Sequence, residues 1–208
     1  QRFLDATKSD MLFAQKIILV EGLAEQLLIS IFAQYLGKPL EDKHIAVISV
    51  GGRYFDHFLH LFDSSASEFA LNKKVVCLTD RDPSRQKTGS SSFKKCYPFE
   101  YNQNSADFDY KDNATDLIDK YKAHPNIHFF SQDGVDGKTL EYDLILHNPS
   151  LELLITDSMS NKTELQGMMA CIKGDKPIGE ILEKLPMGST KNPHTENHRI
   201  KNSLNSCN

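Results

Sequence analysis

Short apolar runs, each ending in a turn, set the rhythm of the first part of the chain. Lys16–Val20 is a run of Ile, Leu and Val that suits a strand buried on both faces. Gly22 turns the chain, and Ala24–Leu36 predicts a helix with Leu27, Leu28, Ile31, Phe32 and Leu36 largely on one stripe. Gly37 and Pro39 end it. The pattern then repeats: His44–Val50 is a second strand, Gly51-Gly52 a turn, and Tyr54–Phe62 a helix carrying Phe55, Phe58, Leu59 and Phe62. Lys74–Leu78 is a third strand that stops at Thr79-Asp80. Repeated strand–turn–helix units of this kind predict an α/β fold with a parallel sheet.

After Pro83 the rhythm breaks. Residues 84–112 are rich in Ser, Lys, Asn and Asp and read as a long surface loop holding a hairpin or partial strand. A helix at Ala114–Lys122 and a strand at Ile127–Ser131 follow, and the stretch from Thr139 to about Leu185 reads as mainly helical. The opening Gln1–Gln15 reads as an approach segment packed beside the sheet. The expected organisation is an α/β core over 1–135 with an irregular insertion at about 84–125, a helical completion over 136–190, and a loose polar tail over 191–208.

Composition narrows the class without naming a function. The 208 residues can bury a real core, and 25% charged with 39% hydrophobic residues is ordinary globular usage. Cys77, Cys96, Cys171 and Cys207 show no CxxC spacing, so neither a zinc site nor a disulfide framework is indicated. With no run approaching 18 apolar residues and no signal peptide, a cytoplasmic setting is expected and no membrane partner. The start without Met suggests a trimmed or partial chain.

The formal net charge of −4 argues against nucleic acid as a partner until its distribution is considered. Between Arg81 and Lys95, five basic residues (Arg81, Arg85, Lys87, Lys94, Lys95) face the single acid Asp82. Asp107–Asp119, by contrast, holds five aspartates.

The chemistry lies where strands end. If the three runs are neighbours in one parallel sheet, Glu21, Asp80 and Asp82 leave its C-terminal edge together. Clustered carboxylates at such an edge suit a magnesium-dependent phosphoryl-transfer site. Gly22 removes a Cβ where a phosphate or metal would approach, and Glu25, one helical turn on, can reach back to the same place or simply serve as an acidic residue at the helix N-terminus. At a strand mouth, i and i+2 carboxylates such as Asp80 and Asp82 can point to one ion. A lone pair of this kind is weak, since aspartates also solvate turns and cap helices. Its place after an apolar strand, with Glu21 nearby, gives it weight.

Gly51-Gly52 permits close backbone approach at the same edge, Ser49 can join the ligand network or be a plain strand-end serine, and Arg53 and Arg81 are candidate phosphate contacts. Glu141 and Asp143 form a further acidic pair inside the frame of Leu140, Leu144 and Ile145; either could complete a second metal position, or both could be surface acids of a helix. His57 and His60 read as helix-surface residues. There is no Walker A sequence, GxGxxG or GxSxG, which disfavours nucleotide binding and serine hydrolysis.

Taken together, Glu21-Gly22, Gly51-Gly52 and Asp80-x-Asp82 resemble the TOPRIM catalytic domain of topoisomerases, primases and several nucleases. The likeness is greatest to the overcoming-lysogenization-defect (OLD) family of ATP-dependent endonucleases. It runs through Leu12–Gly22, Glu25, Val47–Gly52, Phe55, Leu78–Asp82 and Thr139–Leu144. The resemblance implies a TOPRIM Rossmann-like parallel sheet flanked by helices, with an insertion and a C-terminal helical part. It implies two divalent ions, Mg²⁺ or Mn²⁺, with Glu21 and Glu25 on one side, Asp80 and Asp82 on the other and Glu141 completing the set. A transition-state lysine is assigned to Lys176, with Lys173 as the neighbouring candidate. The implied activity is DNA endonuclease cleavage, catalysed by Glu21, Asp80, Asp82 and Lys176, with Arg53, Arg81, Arg85 and Lys87 on DNA phosphates. ATP would enter only through an N-terminal ABC-type ATPase domain absent from this sequence, and a homodimer is a candidate assembly.

Other readings stay open. A primase or topoisomerase fragment shares the acids, but no tyrosine here has a nucleophile's context and no template-handling element is visible. Haloacid-dehalogenase and receiver-like domains also cluster acids at a sheet edge, but not in this glutamate-first order. A DNA-docking or assembly domain, in which the acids only solvate loops, is the non-enzymatic alternative.

Overall fold

The computed structural model describes residues 6–96, 98, 107–132, 137–148, 155–157 and 162–174. The chain divides into two compact units, Gln1–Ser84 with Lys111–Gln132, and Arg85–Tyr110 with Asp133–Asn208.

The first unit is built on four parallel strands, β1 (Lys16–Val20), β2 (Ile45–Ser49), β3 (Lys74–Leu78) and β7 (Ile127–Phe130), in the order β2-β1-β3-β7. Around them lie α1 (Ala6–Phe13), α2 (Leu23–Tyr35), α3 (Phe55–Leu59) and α4 (Asn113–Tyr121). One face of the sheet carries the core. Side chains alternate along a strand, so Ile17 and Leu19, Ala46 and Ile48, Val75 and Cys77, and Ile127 and Phe129 point the same way. They meet Met11 of α1, Phe55, Phe58 and Leu59 of α3, Phe62 just beyond it, and Leu117, Ile118 and Tyr121 of α4. Phe129 packs edge-on against Phe55, with ring centroids 5.3 Å apart.

Two polar residues fasten this unit from within. Asn126 is buried, and its Nδ2 donates to the carbonyls of Phe62 and Lys73 at 2.6 and 2.9 Å while its Oδ1 accepts from Ser64. Lys73 directs Nζ at the carbonyls of Met11, Leu12 and Ala14, at 3.2, 2.5 and 2.6 Å. A cation at a helix C-terminus satisfies carbonyls that the helix itself leaves open. The opening segment therefore holds a helix where the sequence suggested only an approach segment.

The helix α2 departs from expectation in its orientation. Leu28 and Phe32 are half-buried, whereas Leu27, Ile31 and Leu36, assigned to the same stripe, are 61%, 46% and 74% exposed. With Glu25 as its single charged residue, the helix is apolar nearly all round, and periodicity cannot then select the inner face.

The region after Pro83 contains a three-stranded sheet, order β5-β4-β6, made of β4 (Ser84–Lys87), β5 (Lys94–Lys95) and β6 (Phe108–Lys111), all of it but the end residues Ser84 and Lys111 in the second unit. The guanidinium of Arg85 lies 4.5 Å from the Phe108 ring centroid. Later come α5 (Leu140–His147) and α6 (Lys162–Lys173). Thr139 caps α5, its side chain accepting from the Tyr142 amide, while the Lys138 amide donates to Asp143. Cys77 and Cys96 are both buried. No helix among the described residues is long and apolar enough to cross a membrane.

Candidate functional site

Strand register brings the acids to one edge. Val20 pairs with Ser49 on one side and with Leu78 on the other, so the next residue of each strand emerges at the same level. Glu21 thus leaves β1 beside Thr79. Its Oε1 accepts from the Thr79 hydroxyl at 2.5 Å and from the Asp80 amide at 3.0 Å. Thr79 is 3% exposed, and this bond satisfies a hydroxyl that burial would otherwise penalise.

Burial raises the proton affinity of Glu21 above that of an ordinary carboxylate. The Thr79 hydroxyl, the Asp80 amide and the charge of Arg53 oppose that rise, whereas the charge of Asp82 adds to it. Arg53 and Asp82 are therefore electrically part of the site.

The β2 exit closes the other side. The backbone carbonyl of Glu21 accepts from the Gly52 amide at 2.7 Å and the Ser49 hydroxyl at 3.4 Å. That turn holds Gly51 and Gly52 at φ 75° and 113°, a region costing other residues about 1–2 kcal/mol. Gly22 has a different role: a Cβ there would lie 2.8 Å from Oε2 of Glu25, so its absence lets that carboxylate fold over the turn.

Asp82 is itself left-handed, at φ 44°, immediately before the buried Pro83. Residues before proline favour extended backbone, so this turn is strained and has to be held. Asn113 holds it, its amide donating to the Arg81 carbonyl at 2.9 Å and its Nδ2 to the Asp82 carbonyl at 3.4 Å. Arg81 is directed inward, ion-paired with Asp112, and its side chain is 15% exposed. Asp112 also caps α4 through the amides of Ala114 and Thr115, at 2.9 and 2.7 Å. This geometry makes Arg81 an anchor of the turn, with its guanidinium directed at Asp112.

Arg85, Lys87, Glu141 and Lys173 belong to the second unit, with Lys87 and Lys173 exposed and Glu141 half-buried in the first turn of α5. Lys176 lies outside the described residues. Sequence reasoning overlooked Gln132, whose Nε2 donates to Oδ1 of Asp80 at 2.5 Å. It also overlooked Asp112, although an aspartate directly before a helix is a cap signal.

The donor set suits a hard divalent cation, because every candidate ligand is a carboxylate oxygen. A buried Glu21 with the like charge of Asp82 nearby is also a place whose electrostatics a cation would relieve. Among the described residues, no three such side chains already stand in coordinating geometry. The acids share an edge without forming a finished cage.

Residues 12–82 match the family model described as overcoming lysogenization defect protein-like, TOPRIM domain. No curated protein matches the chain. Among solved structures, the C-terminal region of the Xanthomonas campestris pv. campestris OLD protein is 21% identical, with a TM-score of 0.51 over 84% of this chain and 77% of that one. The C-terminal region of the Burkholderia pseudomallei OLD protein is 22% identical, with a TM-score of 0.50 over 82% and 80%. Residues 12–82 are therefore similar to the OLD-like TOPRIM domain, within a chain that has the α/β fold of those OLD C-terminal regions.

Proposed function

We propose that this chain is the nuclease part of an ATPase-coupled DNA endonuclease and hydrolyses phosphodiesters with Mg²⁺ or Mn²⁺. The observation that carries the reading is the meeting of Glu21 with the Thr79-Asp80 turn at one sheet edge, fixed by two hydrogen bonds to Oε1. Glu21, Asp80 and Asp82 would hold the ions, with Glu25 and Glu141 completing the set and Lys176 or Lys173 supplying positive charge. Two divalent ions, when bound, supply activation of a water and stabilisation of the leaving oxygen. The chain's own residues orient and screen: Thr79 and the Asp80 amide fix one oxygen of Glu21, and Arg53 offsets local negative charge. Arg53, Arg85 and Lys87 are the proposed contacts to DNA phosphates, positioning the strand without reading base identity. ATP would act only through an ATPase domain of a longer parent, and the setting would be cytoplasmic.

The test is nicking of supercoiled plasmid by the purified chain in Mg²⁺, Mn²⁺ or EDTA, with Asp80→Ala alongside. Metal-dependent nicking lost in EDTA and in the variant supports the assignment. A well-folded chain that never cuts, alone or within its full-length parent, supports the DNA-docking reading instead.

A further inference from the structure

We infer that Gln132 is a positioning residue for Asp80, holding one carboxylate oxygen so that the side chain meets a divalent cation in a fixed orientation. The inference rests on the metal-site reading above. It starts from register. β3 and β7 are parallel with Leu78 opposite Phe130, and the Thr79 amide extends the ladder to the Phe130 carbonyl at 3.1 Å. Carried two residues further, the same register sets Gln132 opposite Asp80. Backbone pairing has ended there and side chains take over. The Ser131 hydroxyl donates to the Thr79 carbonyl at 2.6 Å, and the Gln132 amide bridges to the Asp80-Arg81 turn.

The orientation of that amide is determined by its neighbours. Its Oε1 accepts from the Arg81 amide at 3.1 Å; the Ser131 hydroxyl lies 3.0 Å from it, but the single proton of that hydroxyl is engaged by the nearer Thr79 carbonyl. A backbone N–H can only donate, so the Arg81 amide alone fixes which end is the NH₂, and that end points to Oδ1 of Asp80 at 2.5 Å. A neutral donor also has a chemical advantage here. Lysine or arginine in its place would orient Asp80 while cancelling the charge a cation needs; glutamine orients it and leaves the charge intact. Outer-shell hydrogen bonds to ligating carboxylates act in this way, and losing one typically costs about 10-fold or more in metal affinity.

The experiment measures Mn²⁺ binding by calorimetry on the purified wild-type chain and on Asp80→Ala, Gln132→Met, Gln132→Ala and Ser131→Ala, with thermal unfolding of each in EDTA. Saturable binding is expected for wild type and not for Asp80→Ala. Both Gln132 variants should bind about 10-fold more weakly. Ser131→Ala, which loses a strand tie but keeps the donor to Asp80, should lose thermal stability while binding near the wild-type level. Wild-type affinity in a folded Gln132 variant overturns the proposal. So does a Ser131→Ala defect as large as that of Gln132→Met, because the contact would then be general strand support. If wild type shows no saturable binding, or Asp80→Ala retains it, the metal reading itself fails and the proposal with it, a result visible without any Gln132 variant.

Discussion

Thr79 donates its hydroxyl to Oε1 of Glu21 across the β1–β3 pair, at 2.5 Å, from a position only 3% exposed. The bond joins two elements that the chain separates by 58 residues, and it does so because parallel register ends both strands at one level. It also leaves an electrostatic debt. Burial disfavours the ionised carboxylate, and the hydroxyl, the Asp80 amide and Arg53 offset that only in part.

Replacing Glu21 by Gln should consequently stabilise the metal-free protein at neutral pH while abolishing metal-dependent cutting. The raised proton affinity means that the folded state holds its proton over a pH range where the unfolded chain has lost it. Stability of the wild type therefore falls as pH rises above the ordinary value of 4.5 through the raised one. Gln keeps the acceptor for Thr79 and the Asp80 amide but has no proton to lose. Thermal unfolding in EDTA should show Glu21→Gln melting above wild type at pH 7, with the gap closing below pH 4.5. A gap independent of pH would point to packing instead.

Asp112 holds both the start of α4 and the guanidinium of Arg81. Asp112→Ala removes a helix cap worth about 1 kcal/mol and strands a largely buried arginine, for a combined loss of about 3–4 kcal/mol. Asp112→Asn keeps the cap and loses the ion pair, so its loss should fall between the two. Urea unfolding of both variants, with Arg81→Met completing a double-mutant cycle, measures the pair. Additive losses would show that Arg81 and Asp112 do not support each other.

Asp63 gives a distinct acid response. The Ser65 hydroxyl, together with His124 and the amides of Ser65 and Ala66, lowers its carboxyl from 3.8 to about 2 against the opposing effect of desolvation. Its contribution is present above the unfolded value and is lost as pH falls from about 3.8 towards 2. Asp63→Asn should therefore destabilise the fold at pH 7, by about 1 kcal/mol for the hydrogen bonds involved, and approach wild-type behaviour near pH 2. Chemical unfolding at several pH values reads the convergence. A constant difference between the two proteins would exclude the carboxylate charge as its source.

Much of the first unit is legible in the chain because its apolar runs end where its chemistry begins. Lys16–Val20 and Lys74–Leu78 are strands with the bounds their composition indicates, and Glu21 and Asp80 follow them directly or after one residue. Legibility fails where burial and polarity part company. α1 buries Met11 completely beside a Phe13 that is 85% exposed, so its composition shows no clear face. Ser84–Lys87 and Lys94–Lys95 are strands made of polar residues with none of the apolar alternation that announces a sheet. Gln132 was hidden for another reason: its partner is set by the register of two strands, and no local spacing encodes that.

Arg53 separates DNA binding from fold. It is exposed, follows the Gly51-Gly52 turn, and its charge reaches Glu21, so it sits at the mouth of the proposed site without supporting the core. If it holds a DNA phosphate, Arg53→Gln should weaken binding similarly for all sequences and reduce the slope of log affinity against log salt by about 0.9 on duplex DNA, or about 0.7 on single strands. Thermal stability should change little, since an exposed surface charge contributes little to folding. Fluorescence anisotropy with a labelled oligonucleotide at several salt concentrations gives both quantities. An unchanged slope would remove Arg53 from the DNA contact. A changed slope that varied with sequence would mean that the turn after β2 reads bases, which a phosphate contact alone does not do.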